Sequence, residues 1–287
     1  MFINRGEVFS IIGPNGAGKT TLIKIIATLV LPTSGHVSVN GFDVVRDESE
    51  VRRIIGLSTG YERSFYYRLT GEQNLFFFGG LYGINGRILR DRVGYLLDRF
   101  KLSEYKDVKY MKYSTGMKKK LSLARALLHN PEICIFDEPL SSVDPESVLD
   151  IISFIQQLRN EGKTILMASH NLAEIEKFSD RIAIMNAGKI VKIGTVLDLE
   201  KDLGVKVVEI NNVHQKDMQI IEDYLRIFNV KKFKAYKGKL SFYVNETNSI
   251  PDILLFLKSK GILPSMIEIR NPELEEAFIS VLRHQKC

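Results

Sequence analysis

Val8-Phe9-Ser10-Ile11-Ile12 is a short, mostly apolar run that ends at a glycine-rich turn from Gly13 to Gly18. Such a run reads as a buried strand, and over 20–28 the apolar positions Leu22, Ile23, Ile25 and Ile26 change to helical spacing. Buried-strand runs recur at Ile133-Cys134-Ile135-Phe136 and Thr164-Ile165-Leu166-Met167, with a helix predicted over 145–160 between them. Ile182-Ala183-Ile184-Met185 and Lys189-Ile190-Val191-Lys192 flank Asn186-Ala187-Gly188, which predicts a hairpin. Strands that alternate with helices predict an α/β domain with a largely parallel sheet.

Between about 69 and 130 the pattern is helical. Phe76-Phe77-Phe78, Leu81 and Tyr82, then Val93, Leu96, Leu97 and Phe100, predict a helical insertion. Beyond about 203 the pattern changes again. Strands are predicted over 206–210, 231–236, 239–244 and 263–269, with helices over 215–228, 249–260 and 272–283. The order β-α-β-β-α-β is that of a ferredoxin-like unit with an added terminal helix. The expected organisation is therefore an α/β domain over 1–200 and a small α+β accessory domain over 201–287.

Composition narrows the class. The chain has 287 residues, 45% hydrophobic and 26% charged, which suits folded domains rather than disorder. Cys134 and Cys287 cannot build a disulfide framework or a thiolate metal cluster, which suits a reducing compartment. No apolar stretch approaches the roughly 18 residues of a membrane span, and Met1-Phe2-Ile3-Asn4-Arg5 lacks a signal-peptide shape. A chain that stays inside the cell is expected. The net charge is +6, and from Lys201 onward 14 Lys and Arg face 11 Asp and Glu, so the excess is spread over both parts. The densest basic runs, Lys118-Lys119-Lys120 and Lys231-Lys232, are short, so no nucleic-acid partner is expected.

Candidate chemistry begins at the glycine turn. Gly13-Pro14-Asn15-Gly16-Ala17-Gly18-Lys19-Thr20 fits the phosphate-loop pattern, with a strand before it and a helix after it. Backbone N–H groups of such a loop curl around phosphates at a positive helix end. Lys19 reaches phosphate oxygens, and the Thr20 hydroxyl ligates magnesium. Ile133-Cys134-Ile135-Phe136-Asp137-Glu138-Pro139 places two acids at a strand end. Asp137 suits a magnesium ion held largely through its water shell, and Glu138 suits a general base for the attacking water.

With these motifs the chain resembles the ATP-binding subunit of an ABC transporter, over about 3–193. Tyr113-Ser114-Thr115-Gly116-Met117-Lys118 is similar to the family's signature loop, in the variant frequent among ABC-2-type exporters. Ser114 can cap the helix that follows, and Gly116 lets the backbone approach a phosphate. Leu140-Ser141-Ser142-Val143-Asp144 stands where the family has its D-loop, and Asp144-Pro145 is also a good helix start. His170 matches the switch histidine. The resemblance implies a P-loop fold with a helical insertion and ATP bound by Gly13, Pro14, Asn15, Gly16, Ala17, Gly18, Lys19, Thr20 and Thr21. It also implies magnesium at Thr20 and Asp137, catalysis by Glu138 and His170, and Ser114, Gly116 and Asp144 facing the nucleotide of a second ATP-binding subunit.

The resemblance further implies an ATPase lying on the inner, cytoplasmic face of the membrane, where it powers export of a drug, lipid or polysaccharide through a separate integral membrane permease. Asn271-Pro272-Glu273-Leu274-Glu275-Glu276-Ala277-Phe278 resembles the close of the C-terminal extension in such exporters. The alternatives are a soluble ABC ATPase acting on ribosomes or DNA, and a truncated, catalytically weak partner subunit. Three departures stand out. Gly60 falls about where the family has a magnesium-ligating glutamine, with Glu62 nearby as a substitute. Thr115 replaces a glycine of the signature loop. The N-terminal strands and the adenine-stacking aromatic that family members carry before this point are expected to be missing. The loop over 60–69, with Tyr61, Glu62, Arg63, Phe65, Tyr66, Tyr67 and Arg68, has the aromatic and arginine mix of an interface, although some of its rings would simply anchor it to the helical insertion.

Overall fold

A computed structural model describes residues 1–59, 65–201, 205–227, 233–236, 238–245, 250–262, 264–276 and 278. The chain divides into two compact units, Met1–Thr195 and Val196–Cys287.

In the first unit, β1 (Val8–Ile12) and α1 (Lys19–Ile26) are followed by a hairpin of β2 (Ser38–Val39) and β3 (Phe42–Asp43). Next come α2 (Glu48–Ile54), β4 (Ile55–Ser58), α3 (Gly71–Leu81), α4 (Gly86–Arg99) and, after two 3₁₀ turns, α5 (Thr115–Ala126). Then follow β5 (Ile133–Asp137), α6 (Pro145–Asn160), β6 (Thr164–Ser169), α7 (Leu172–Ile175), β7 (Arg181–Asn186) and β8 (Lys189–Gly194). The main sheet has the order β4-β5-β6-β1-β7-β8, parallel except for the antiparallel β7–β8 hairpin. The helical insertion is α3 to α5. The hairpin β2–β3 and helix α2 have no counterpart among the sequence expectations, because two-residue strands and a seven-residue helix with one buried position are too short for a readable periodicity.

Burial explains the sheet. Phe9 and Ile11 on β1, Ile23 on α1, Ile135 on β5 and Ala168 on β6 are completely buried in one apolar cluster. Each side chain as large as Phe9 or Ile23 contributes about 1.5–3 kcal/mol by leaving water. Local signals set the helix starts. Thr70 and Gln73 form a capping box on α3, Ser114 accepts the Met117 amide at the head of α5, and Asp144 accepts the Ser147 amide with Pro145 in the first turn of α6.

The topology then positions the site. In the parallel stack β5-β6-β1 the register pairs Asp137 with Ala168 and Ile12 with Ser169, so three chain exits lie side by side at the carboxyl ends of neighbouring strands. That edge is where ligands bind in open α/β sheets.

The second unit contains α8 (Val196–Lys201), β9 (Val205–Asn211), α9 (Gln215–Ile227), β10 (Phe233–Tyr236), β11 (Lys239–Asn245), α10 (Ile250–Ser259) and β12 (Met266–Arg270). Its sheet order β10-β11-β9-β12, antiparallel throughout, is that of a ferredoxin-like β-α-β-β-α-β unit. Val208, Ile210, Phe242, Ile221 and Leu257 form its core. A second cluster is polar: Glu209 accepts from Lys239 at 2.5 Å and Arg270 at 3.1 Å, while Arg270 and the Tyr243 hydroxyl donate to Glu276 at 3.0 and 2.7 Å. These bonds tie the 271–276 segment to the strands. Of the helix expected over 272–283, residues 272–276 and 278 are described: 274–276 and 278 are helical, whereas Pro272 and Glu273 precede the helix.

Candidate functional site

The glycine loop leaves β1 at Ile12 and re-enters the chain as α1. Gly13 packs so closely on β7 that a Cβ would lie 2.3 Å from the Met185 carbonyl oxygen, so glycine here serves packing as well as phosphate access. The β7–β8 turn supports the loop from the same side, its Gly188 amide donating to the Ala17 carbonyl at 3.0 Å. Lys19 is buried, and its ammonium spans the loop, donating to the carbonyls of Gly13 at 2.7 Å and Pro14 at 3.3 Å. Burial lowers its pKa from the ordinary lysine value, opposed by the nearby carboxylates of Glu138 and Asp137. Thr21 is exposed on the first turn of α1.

Asp137 ends β5 and is 4% exposed. Burial raises its pKa, while a hydrogen bond with the Thr20 side chain and the charge of Lys19 act against that rise. Its Oδ1 is buried with no hydrogen-bond partner. An unpartnered carboxylate oxygen next to a threonine hydroxyl fits a magnesium ion that takes one or two protein oxygens and fills its octahedron with phosphate and water. Among the described residues no three His, Cys, Asp or Glu side chains converge into a fuller metal cage.

Glu138 follows in the left-handed region, with φ 51°, unusual for a side-chain-bearing residue and found where a site holds strain. Its amide donates to the Ala168 carbonyl at 2.9 Å, and its Oε2 lies 2.8 Å from Nδ1 of His170. An ionised carboxylate only accepts, so the Nδ1 of His170 carries the shared hydrogen. The structure thus brings Lys19, Thr20, Asp137, Glu138 and His170 into one cluster.

Ser114, Gly116 and Asp144 form a second cluster, where the heads of α5 and α6 meet. A Cβ on Gly116 would lie 2.6 Å from Ser147 Oγ and 2.9 Å from Asp144 Oδ2. Gly116→Ala is therefore expected to disturb the Asp144 cap and cost about 1 kcal/mol, read as a lower denaturation midpoint. Adding Ser147→Ala should restore most of that stability.

Of the 60–69 loop, Gly60, Tyr61, Glu62 and Arg63 lie outside the described residues. Phe65 is buried, stacked 4.8 Å from Tyr110 and beneath the Arg125 guanidinium, so it anchors the loop to the insertion. Tyr66 and Tyr67 stay half-exposed, and Tyr66 meets Phe77 edge-on at 4.7 Å. Sequence reasoning missed the residue that holds this loop. Asn74 is completely buried and bonds the Tyr66 amide at 2.8 Å and the carbonyls of Tyr66 and Thr70. An amide directly before the apolar run Leu75-Phe76-Phe77-Phe78 of α3 was its available signal.

Comparison with known proteins agrees with this geometry. Residues 1–141 match the ABC transporter family. The chain is 36% identical to the linearmycin resistance ATP-binding protein LnrL of Bacillus subtilis, over 97% of this chain and 90% of the relative. It is 31% identical to the daunorubicin resistance ATP-binding protein DrrA3 of Streptomyces coeruleorubidus, over 96% and 87%. With the ABC transporter ATP-binding protein NatA of Bacillus subtilis it shares 40% identity, over 69% and 80%. Among solved structures, a dimeric ATP-binding cassette in a post-hydrolysis state bound to ADP and Pi superposes with a TM-score of 0.62 at 27% identity, covering 68% of this chain and 88% of that one. The chain belongs to the ABC transporter family, as one of its ATP-binding, ATP-hydrolysing subunits.

Proposed function

We propose that the chain binds ATP at 13–21, hydrolyses it with Glu138 as general base, and works with a second ATP-binding subunit, a copy of itself or a close paralogue, to drive export through a separate membrane permease. The cluster at the ends of β1, β5 and β6 carries this reading: a buried ammonium facing two carboxylates, one of which has an unpartnered buried oxygen. Lys19 supplies positive charge to the phosphates from a site with little water, where charge interactions are strong. Thr20 and Asp137 would hold magnesium, which would supply positive charge to offset that of the phosphates. Glu138 orients the attacking water and takes its proton. His170 holds the carboxylate of Glu138 in place. Ser114, Gly116 and Asp144 would face the nucleotide held by the partner subunit.

The relatives named for linearmycin and daunorubicin resistance support export of drug-like molecules. Tyr66, Tyr67 and Phe77 offer an exposed aromatic face for the permease. No helix among the described residues is long and apolar enough to cross a membrane, so the membrane passage in this reading belongs to the permease. Fractionation of cells expressing the chain tests the assignment. Sedimentation with membranes, and magnesium-dependent ATP turnover by the purified chain, are expected. Recovery with ribosomes and none with membranes would favour the soluble alternative.

A further inference from the structure

We infer that Lys119 is a positioning residue that holds the backbone of Glu138 in its strained conformation and ties it to the helix carrying the signature loop. Lys119 lies on α5, and its side chain turns inward: the residue is only 6% exposed. An ammonium is buried at a cost unless it is hydrogen-bonded. Here Nζ donates to the Glu138 carbonyl at 3.0 Å.

Glu138, at φ 51°, occupies a conformation that persists only where the surroundings over-determine it. Its amide is fixed by the Ala168 carbonyl on β6 and its side chain by His170. Its carbonyl accepts from Ser141 Oγ at 3.1 Å, within the same turn, and from Lys119. Of these partners, Lys119 alone comes from α5. The head of that helix carries Ser114 and Gly116, and Gly116 packs on Asp144 and Ser147. A shift of α5 would therefore be transmitted through the Lys119 ammonium to the peptide that aims the general base. Lys118 and Lys119, adjacent in sequence, differ sharply in surroundings: Lys118 sits over the Tyr110 ring, 5.7 Å from its centroid, while Lys119 points to the sheet edge.

This inference rests on Glu138 being the base, and its test separates the two. ATP turnover is measured for wild type, Lys119→Met, Lys119→Gln, Glu138→Gln and Lys119→Met/Glu138→Gln. Lys119→Met is expected to lower kcat about tenfold or more with KM for ATP changed less than about twofold, since the base is misaimed and the nucleotide loop is untouched. Lys119→Gln, which keeps a shorter N–H donor, should fall between wild type and Lys119→Met. In the Glu138→Gln background, Lys119→Met should add no further loss, because the group it positions is gone. Wild-type kcat in either Lys119 variant would overturn the inference, as would a raised KM with kcat unchanged or a full further loss in the double variant. If Lys119→Met fails to fold, the Lys119→Gln value decides. Wild-type turnover by Glu138→Gln would remove the base itself, and the positioning role with it.

Discussion

Glu138→Gln is expected to cut ATP turnover by about 10²–10⁴-fold, the usual contribution of a positioned general base, while leaving ATP affinity within about threefold. Glutamine keeps the shape of the side chain and can still bond His170, but it cannot take a proton from water. The nucleotide loop leaves a different strand, β1, and the Lys19 ammonium is held by the Gly13 and Pro14 carbonyls, whereas the Glu138 carboxylate is held by His170. Equilibrium ATP binding and steady-state hydrolysis, measured on the same preparation, check both halves. A variant that loses binding and turnover together would place Glu138 in nucleotide recognition rather than in the chemical step.

Lys19→Ala is expected to act on the other half, weakening ATP binding at least about 30-fold. Removing one partner of a buried charge interaction costs about 2–5 kcal/mol, and 1.4 kcal/mol is a factor of ten. Without Lys19, two carboxylates face the phosphates and the Gly13 and Pro14 carbonyls lose their donor. The same reasoning fixes a pH dependence. Phosphate binding needs the ammonium form, and burial lowers the Lys19 pKa. Affinity should therefore be lost on the alkaline side before an ordinary lysine near 10.5 would titrate. On the acid side, metal binding needs ionised Asp137, whose pKa burial raises, so affinity should fall before an ordinary carboxyl near 3.8 would protonate. Isothermal titration of Mg–ATP across pH checks both limbs.

Much of the fold was legible because the informative signals are local. The helix over 145–160 matches the structure at both ends, since Asp144 and Pro145 fix its start without help from elsewhere. The apolar runs at 133–136 and 164–167 became neighbouring parallel strands, each extended to its functional end, Asp137 and Ser169. The ferredoxin-like order in the second unit followed from alternating short strands and helices. What stayed hidden depends on contacts between distant segments. Lys118-Lys119-Lys120 reads as a basic run, yet Lys119 and Lys120 are buried, their long stems carrying the charge to the Glu138 carbonyl and to Asp150. Gly13 reads as a phosphate-loop glycine, and only the Met185 carbonyl shows why β7 also excludes a side chain there. The two-part fate of the aromatic loop, Phe65 inside and Tyr66 outside, could not be divided from composition.

Glu138 and His170 could be nominated by order along the chain, but their 2.8 Å contact requires β5 and β6 to be neighbours. The two site clusters have a similar logic. Phosphate-loop residues gather at strand ends, whereas Ser114, Gly116 and Asp144 gather where two helices begin. In the proposed function, the second cluster faces the nucleotide held by a partner subunit. Static light scattering of purified Glu138→Gln protein, with and without magnesium and ATP, tests this most directly. Doubling of the mass on adding both ligands is the predicted result, because binding persists while hydrolysis cannot reopen the pair. A monomer at saturating Mg–ATP, with binding confirmed in the same sample, would contradict the account.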